Sequence, residues 1–118
     1  MLVFDVDGDG DNDIVTAIES HGYGIAWLEH VKEESGDISF KMHRFVNETP
    51  QQNRYGVKFS QPHAFDMADF NGDGLMDFVV GKRFWAHGSK GDPEPNAAAV
   101  TYWFELKRGV EGLPGGID

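Results

Sequence analysis

The sequence has no cysteine, few basic residues and no long apolar run, and each absence excludes a class of function. Without cysteine there is no disulfide framework and no thiolate chemistry. Ten Lys and Arg stand against 20 Asp and Glu, a formal net charge of −10 that argues against nucleic-acid binding and against a membrane surface. No apolar stretch approaches the roughly 18 residues of a membrane-spanning helix, and no signal-peptide pattern is visible.

The sequence is rich in aspartate and glycine, and much of both falls in two matching clusters. Residues 5–13 read DVDGDGDND, and residues 69–77 read DFNGDGLMD. The apolar run after each cluster also matches, DIVTAI against DFVVGK. Further on, IAWLEH resembles TYWFEL, and the displacement grows from 64 to 76 residues. The chain is therefore an internal repeat, and the Gly- and Pro-rich stretch RFWAHGSKGDPEPNAAA in its second unit is predicted to be a long loop.

Short apolar segments around the two clusters predict β-strands, and no convincing amphipathic helix is present. MLVF and HAFDMAD precede the clusters, DIVTAI and DFVVG follow them, and YGIAWLEHV and AVTYWFELK come third. The segment ISFKMHRFV alternates with period two and predicts a fourth strand in the first unit. Repeats of this length, made of antiparallel strands A to D, are typical of propeller blades.

We therefore predict an all-β fold of about two four-stranded antiparallel β-propeller blades in the order A-B-C-D-A-B-C. The first blade is assigned to residues 1–48, and the second to residues 49–118 with its strand D missing or supplied elsewhere. Because a propeller ring needs 4 to 8 blades, the chain is expected to be part of a larger ring or to close one with other copies.

The aspartate clusters have the pattern of cation-binding loops. Alternating Asp and Asn side chains in a tight turn converge their oxygens, and oxygen-only ligation favours Ca²⁺, with Mg²⁺ second and Zn²⁺ disfavoured. An EF-hand needs Glu at position 12, where Thr16 and Val80 stand, so a nine-residue loop inside a β-hairpin is predicted instead. The predicted side-chain ligands are Asp5, Asp7, Asp9 and Asp13 in the first site and Asp69, Asn71, Asp73 and Asp77 in the second, with backbone carbonyls from Asp11 and Leu75.

The two loops resemble the calcium-loop repeats of the FG-GAP and VCBS families, seen also in integrin α-subunit propellers. The resemblance rests on DVDGDGDNDIV and DFNGDGLMDFV, and extends through GIAWLE and VTYWFE over nearly the whole chain. It implies a β-propeller, often seven-bladed, with calcium loops on the face opposite the ligand-binding one. Together with the absence of cysteine, it implies a secreted, periplasmic or cell-surface protein of bacterial type.

The loops on the other face of a blade connect strand B to C and strand D to the next A. They hold aromatic, cationic and imidazole groups that suit a glycan or a protein ligand. His63 and His87 are candidate ligands for a transition metal in a shared pocket, but the sequence locates no third ligand. Trp27 and Trp103 are expected to pack between blades. The candidate ligand-binding residues on this face are His21, Tyr23, His63, Arg83, Trp85 and His87.

Three function hypotheses stay open. The favoured one is a calcium-stabilised module that binds a glycan or protein ligand, and the second is a piece of a carbohydrate-active lyase or dehydratase with His and Arg as acid and base. The third is a self-assembling two-blade unit that forms a propeller by oligomerisation. No Ser-His-Asp order, phosphate loop or paired-acid arrangement stands out, so binding is favoured over catalysis.

Overall fold

A computed structural model describes residues 1–19, 21–47, 49, 55–85, 87–107 and 116–117. This part of the chain forms β-strands joined by turns and loops, and none of it is α-helical. Within these residues there is also no helix long and apolar enough to cross a membrane. The strands are β1 (Leu2–Phe4), β2 (Asp13–Ala17), β3 (Ile25–Lys32), β4 (Ile38–Val46), β5 (Pro62–Ala68), β6 (Asp77–Lys82), β7 (Thr101–Phe104), β8 (Leu106–Lys107) and β9 (Gly116–Ile117).

The strands form two main antiparallel sheets, in the orders β1-β2-β3-β4 and β5-β6-β7. The predicted order A-B-C-D-A-B-C is confirmed, and β4 begins and ends where the alternating pattern places it. Val15 lies opposite Trp27, and Val79 lies opposite Trp103. Residues that match at displacements of 64 and 76 in the sequence therefore also pair equivalently in the two sheets. A third, two-stranded sheet pairs β8 with β9, and residues 108–115 between them lie outside the described part of the chain.

Each main sheet has two faces, because successive side chains on a strand point to opposite sides. We name each face after one residue. The first sheet has a Trp27 face (Leu2, Val15, Trp27) and a Leu28 face (Val3, Ile14, Leu28, Met42), and the second has a Phe104 face (Met67, Phe78, Phe104) and a Trp103 face (Asp66, Val79, Trp103).

The core lies where the Trp27 face of the first sheet packs against the Phe104 face of the second. Phe45 of β4 reaches across this interface and meets the rings of Phe78 and Phe104 edge-on, with centroids 5.9 and 5.4 Å apart. Val15 and Phe78, from opposite sides of the interface, belong to one buried apolar cluster. The two repeats therefore stack in the same orientation, and the faces that meet are not equivalent in the repeat.

Because of this stacking, the two tryptophans at matching positions of the repeat differ in burial. Trp27 is 7% exposed within the core, as expected for a residue between blades, whereas Trp103 is 52% exposed. Within the described residues no other sheet covers Trp103, because it lies on the outward face of the second sheet. Its ring meets that of Phe70 edge-on at 6.4 Å between centroids.

Candidate functional site

The two aspartate clusters connect β1 to β2 and β5 to β6, and their backbones fold around the first aspartate of each. The Asp5 carboxylate accepts hydrogen bonds from the amides of Gly8 and Gly10, at 2.7 and 3.1 Å. Both glycines adopt positive φ, 87° and 96°, a conformation that other residues rarely take. Asp69 accepts the same pair of bonds in the second loop, at 2.7 and 2.8 Å. The two loops are thus copies of one turn.

The closing aspartate of each loop is fully buried and joins the loop to strand C. Asp13 accepts one hydrogen bond from the amide of Val6 at 2.9 Å and another from the amide of His30 at 2.8 Å. Asp77 accepts the equivalent pair at 3.2 and 2.9 Å. Both side chains have no exposed surface. A buried carboxylate is tolerated here because backbone donors satisfy both of its oxygens.

Three carboxylates of the first loop converge. Asp5, Asp7 and Asp13 each offer one oxygen within 4.8 Å of the others. Burial raises the pKa of Asp7, and the charges of Asp13, Asp9 and Asp5 raise it too, although the hydrogen bond from the Asp9 amide lowers it. The oxygen-only donor set and this concentration of negative charge fit a hard divalent cation such as Ca²⁺.

The second loop replaces one of these carboxylates with an amide. Asn71 stands where the first loop has Asp7, and its Nδ2 donates to Asp73 at 3.2 Å and to Oε1 of Glu105 at 2.9 Å. Among the described residues, a group of three converging acids is found in the first loop and not here. Glu105 recurs after Trp103 as Glu29 does after Trp27, but its position one residue beyond β7 gives no sign of this contact with Asn71.

The other predicted ligands make hydrogen bonds within their own loop or to the neighbouring strand β3. Asp9 accepts a hydrogen bond from the amide of Asp11 at 2.8 Å, and Asp73 accepts one from the amide of Leu75 at 2.9 Å. The Asp11 carboxylate instead binds Nζ of Lys32 at 2.8 Å, and this hydrogen bond lowers the pKa of Asp11. The Asp11 side chain is therefore occupied by Lys32, as expected if Asp11 contributes only its backbone carbonyl to a cation.

Three of the predicted ligand-face residues meet at the other end of the strands, and we call them the histidine cluster. Nε2 of His87 and Nδ1 of His21 are 2.9 Å apart, and the ring of His63 stacks on His21 with centroids 5.3 Å apart. His63 is the second residue of β5, and Asp69 follows that strand. Six residues of extended chain place the cluster about 20 Å from the second aspartate loop.

A buried polar pair, Gln61 and Asp92, holds the histidine cluster together. Nε2 of Gln61 donates to the carbonyl of His21 at 2.8 Å and to Asp92 at 3.1 Å, and the other Asp92 oxygen accepts the amide of His87 at 2.8 Å. The backbone carbonyl of Gln61 also accepts the amide of Arg83 at 2.8 Å. Sequence reasoning missed both residues, because nothing local marks a loop Gln or Asp as buried.

Arg83 adds positive charge beside the cluster. Its Nε donates to the carbonyl of Trp85 at 2.7 Å, which fixes the guanidinium group. Partial desolvation of its ring lowers the pKa of His63, although the residue is exposed overall, and the nearby charges of Arg83 and His21 lower it further.

The two remaining predicted ligand-face residues make contacts of their own. Nε1 of Trp85 donates to the carbonyl of Pro95 at 2.8 Å, which ties the ring to the long loop. The Tyr23 hydroxyl donates to Glu94 at 2.6 Å, and Nζ of Lys58 lies 5.4 Å from the centre of the Tyr23 ring. These side chains serve at least in part to anchor loops.

Comparison with known proteins identifies the repeat. The FG-GAP-like repeat matches residues 5–80, which contain both aspartate loops and the whole of the first sheet after β1. Searches of curated proteins and of solved structures gave no significant match. The match covers more than half of the chain, includes both copies of the loop and agrees with the two stacked antiparallel sheets. The chain belongs to the FG-GAP-like repeat family.

Proposed function

We propose that the chain is a calcium-stabilised β-propeller repeat module that binds a glycan or protein ligand outside the cell. The convergence of Asp5, Asp7 and Asp13 on one point, in a turn whose hydrogen bonds recur in the second loop, carries the calcium part of this proposal. FG-GAP-like repeats are typically extracellular, which supports a secreted, periplasmic or cell-surface location.

The proposed role of the cation is to stabilise the fold. It offsets repulsion among carboxylates that the fold places close together, so binding and folding are coupled. The first loop, with four side-chain carboxylates against three in the second, is proposed to bind Ca²⁺ more tightly, because affinity follows ligand charge. The proposed ligands are Asp5, Asp7, Asp9, Asp11 and Asp13 in the first site and Asp69, Asn71, Asp73, Leu75 and Asp77 in the second, with Mg²⁺ the alternative ion.

Chelation is expected to lower the melting temperature. At free Ca²⁺ 100 times the dissociation constant, binding contributes about 2.7 kcal/mol, which corresponds to roughly 10 °C in a domain of this size. Scanning calorimetry in Ca²⁺, in Mg²⁺ and in chelator measures the shift. Asp9→Ala and Asp73→Ala should each lose part of it and should match the wild type in chelator. An unchanged melting curve in chelator would contradict the calcium assignment.

The histidine cluster and Arg83 are the proposed ligand face. Imidazole and guanidinium groups donate hydrogen bonds to sugar hydroxyls and to anionic groups, and the three histidines are exposed. The cluster lies at the opposite end of β5 from the aspartate loop, so ligand and cation do not compete for the same groups.

A catalytic role is the second candidate, favoured by one contact. The hydrogen bond between the His21 and His87 rings joins a donor nitrogen to an acceptor nitrogen, as in an acid–base pair. We expect a glycan-binding screen and a polysaccharide turnover assay to separate the two functions. Under the binding proposal, His63→Ala and His87→Ala weaken glycan binding, and the wild type shows no turnover. Turnover that these variants abolish, while His43→Gln on β4 retains it, would establish the enzyme instead.

We also propose that residues 1–48 and 49–118 are two blades whose outward sheet faces dock onto further blades. The Leu28 face and the Trp103 face are the repeat equivalents of the two faces that already pack together within the chain. For the 118-residue chain on its own, the available partner is a second copy.

A further inference from the structure

The chain has five histidines, and three of them meet in one cluster although they lie far apart in sequence. His21 precedes β3, His63 lies in β5, and His87 lies in the loop before β7. The sequence alone offered His63 and His87 as metal ligands and lacked a third. His21 fills that place, because its ring contacts both of the other rings.

Two of the ring nitrogens are spaced almost as in a metal site, whereas His63 stacks on His21 and its nitrogens do not converge with that pair in this arrangement. Nδ1 of His21 and Nε2 of His87 are 2.9 Å apart and share one proton. Two imidazole nitrogens on a tetrahedral Zn²⁺ lie about 3.3 Å apart, given Zn–N bonds of about 2.05 Å. A metal ion between the two nitrogens therefore requires the donor ring to carry its proton on its other nitrogen and the pair to separate by only a few tenths of an ångström.

The third imidazole, His63, lies beside this pair. The His63 side chain is exposed, so it can turn about its own bonds from stacking on His21 to facing the same point.

The backbone around the cluster is fixed before any ion binds. The buried Gln61 side chain joins the carbonyl of His21 to Asp92, and Asp92 holds the amide of His87. This arrangement limits the entropy lost when the three rings are ordered around one ion, as supporting shells do in metal sites.

We propose that His21, His63 and His87 form a binding site for a first-row transition metal ion, with Zn²⁺ the expected occupant. Imidazole ligands suit Zn²⁺, Cu²⁺ and Ni²⁺, and three histidines leave a fourth position for water or for an anionic group attracted by Arg83. The site is separate from the oxygen-rich aspartate loops and does not rest on their binding Ca²⁺.

Calorimetric titration of the full chain with Zn²⁺, in excess Ca²⁺ to occupy the aspartate loops, tests the site. We expect one equivalent of Zn²⁺ to bind, and Co²⁺ in its place to show the intense visible bands of four-coordinate geometry. His21→Ala, His63→Ala and His87→Ala should each weaken binding at least tenfold. His43→Gln, a control substitution of a histidine that instead binds Glu29 on the first sheet, should leave affinity unchanged.

Imidazole nitrogen resonances of the wild-type protein give a test that does not depend on any variant folding. Zn²⁺ should shift the resonances of His21, His63 and His87 with one saturating dependence and leave those of His30 and His43 in place. Zn²⁺ affinity that survives in the His21→Ala/His87→Ala double variant, or saturable shifts confined to His30 and His43, would overturn the proposal.

Discussion

Replacing Asp13 by alanine is expected to destabilise the protein by about 2–6 kcal/mol even when no metal ion is present. The Asp13 carboxylate is fully buried and accepts the amides of Val6 and His30. Removing it breaks one buried and one partly buried hydrogen bond to the backbone, at about 1–3 kcal/mol each. Asp77 makes the same two kinds of bond in the second loop, so Asp77→Ala should cost a similar amount.

Denaturant unfolding in chelator and in Ca²⁺ separates this structural role from metal ligation. Asp9 is the control, because its loop position is exposed and its side chain accepts one local amide. Asp9→Ala should alter stability in Ca²⁺ and have little effect in chelator, whereas Asp13→Ala should destabilise in both. Asp13→Asn keeps one acceptor oxygen and should fall between. Equal behaviour of Asp9→Ala and Asp13→Ala in chelator would show that Asp13 acts only through a bound ion.

The strand order could be predicted because the local signals agreed with the repeat. Each aspartate loop marks the junction of two strands, and the two displacements of the repeat fix which residues lie opposite each other. The burial of Trp103 could not be predicted in the same way. Matching it to Trp27 transfers its position within a sheet, but burial depends on which other sheet covers that face.

The two candidate sites likewise differ in how far the sequence could predict them. The aspartate loops are contained in nine residues each, so spacing alone revealed them. The histidine cluster depends on three segments brought together by Gln61 and Asp92, whose burial is a tertiary property. The sequence placed His21 on the right face of the blade and could not show that its ring meets His87.

Self-association through the two outward sheet faces is the other large effect that we expect. The Leu28 face exposes Val3 and Met42, at 49% and 54%, and the Trp103 face exposes Trp103 beside a shallow cavity of about 520 Å³. Exposed apolar surface on sheet faces favours docking. Arg44 on the first face and Asp66 on the second are of opposite charge. Light scattering with Ca²⁺ present should give assemblies of about two to four copies, since a ring takes 4 to 8 blades.

Single substitutions on opposite faces make this expectation specific. Trp103→Asp and Met42→Asp should each abolish growth beyond a monomer, while Phe84→Asp, which changes an equally exposed loop aromatic, should leave the assembly intact. Mixing the first two variants should restore a one-to-one dimer, because each retains the face that the other lacks. A symmetric interface would not show this rescue, since like faces would meet. A monomeric wild type, or a mixture that stays monomeric, would show that the two faces do not recognise each other.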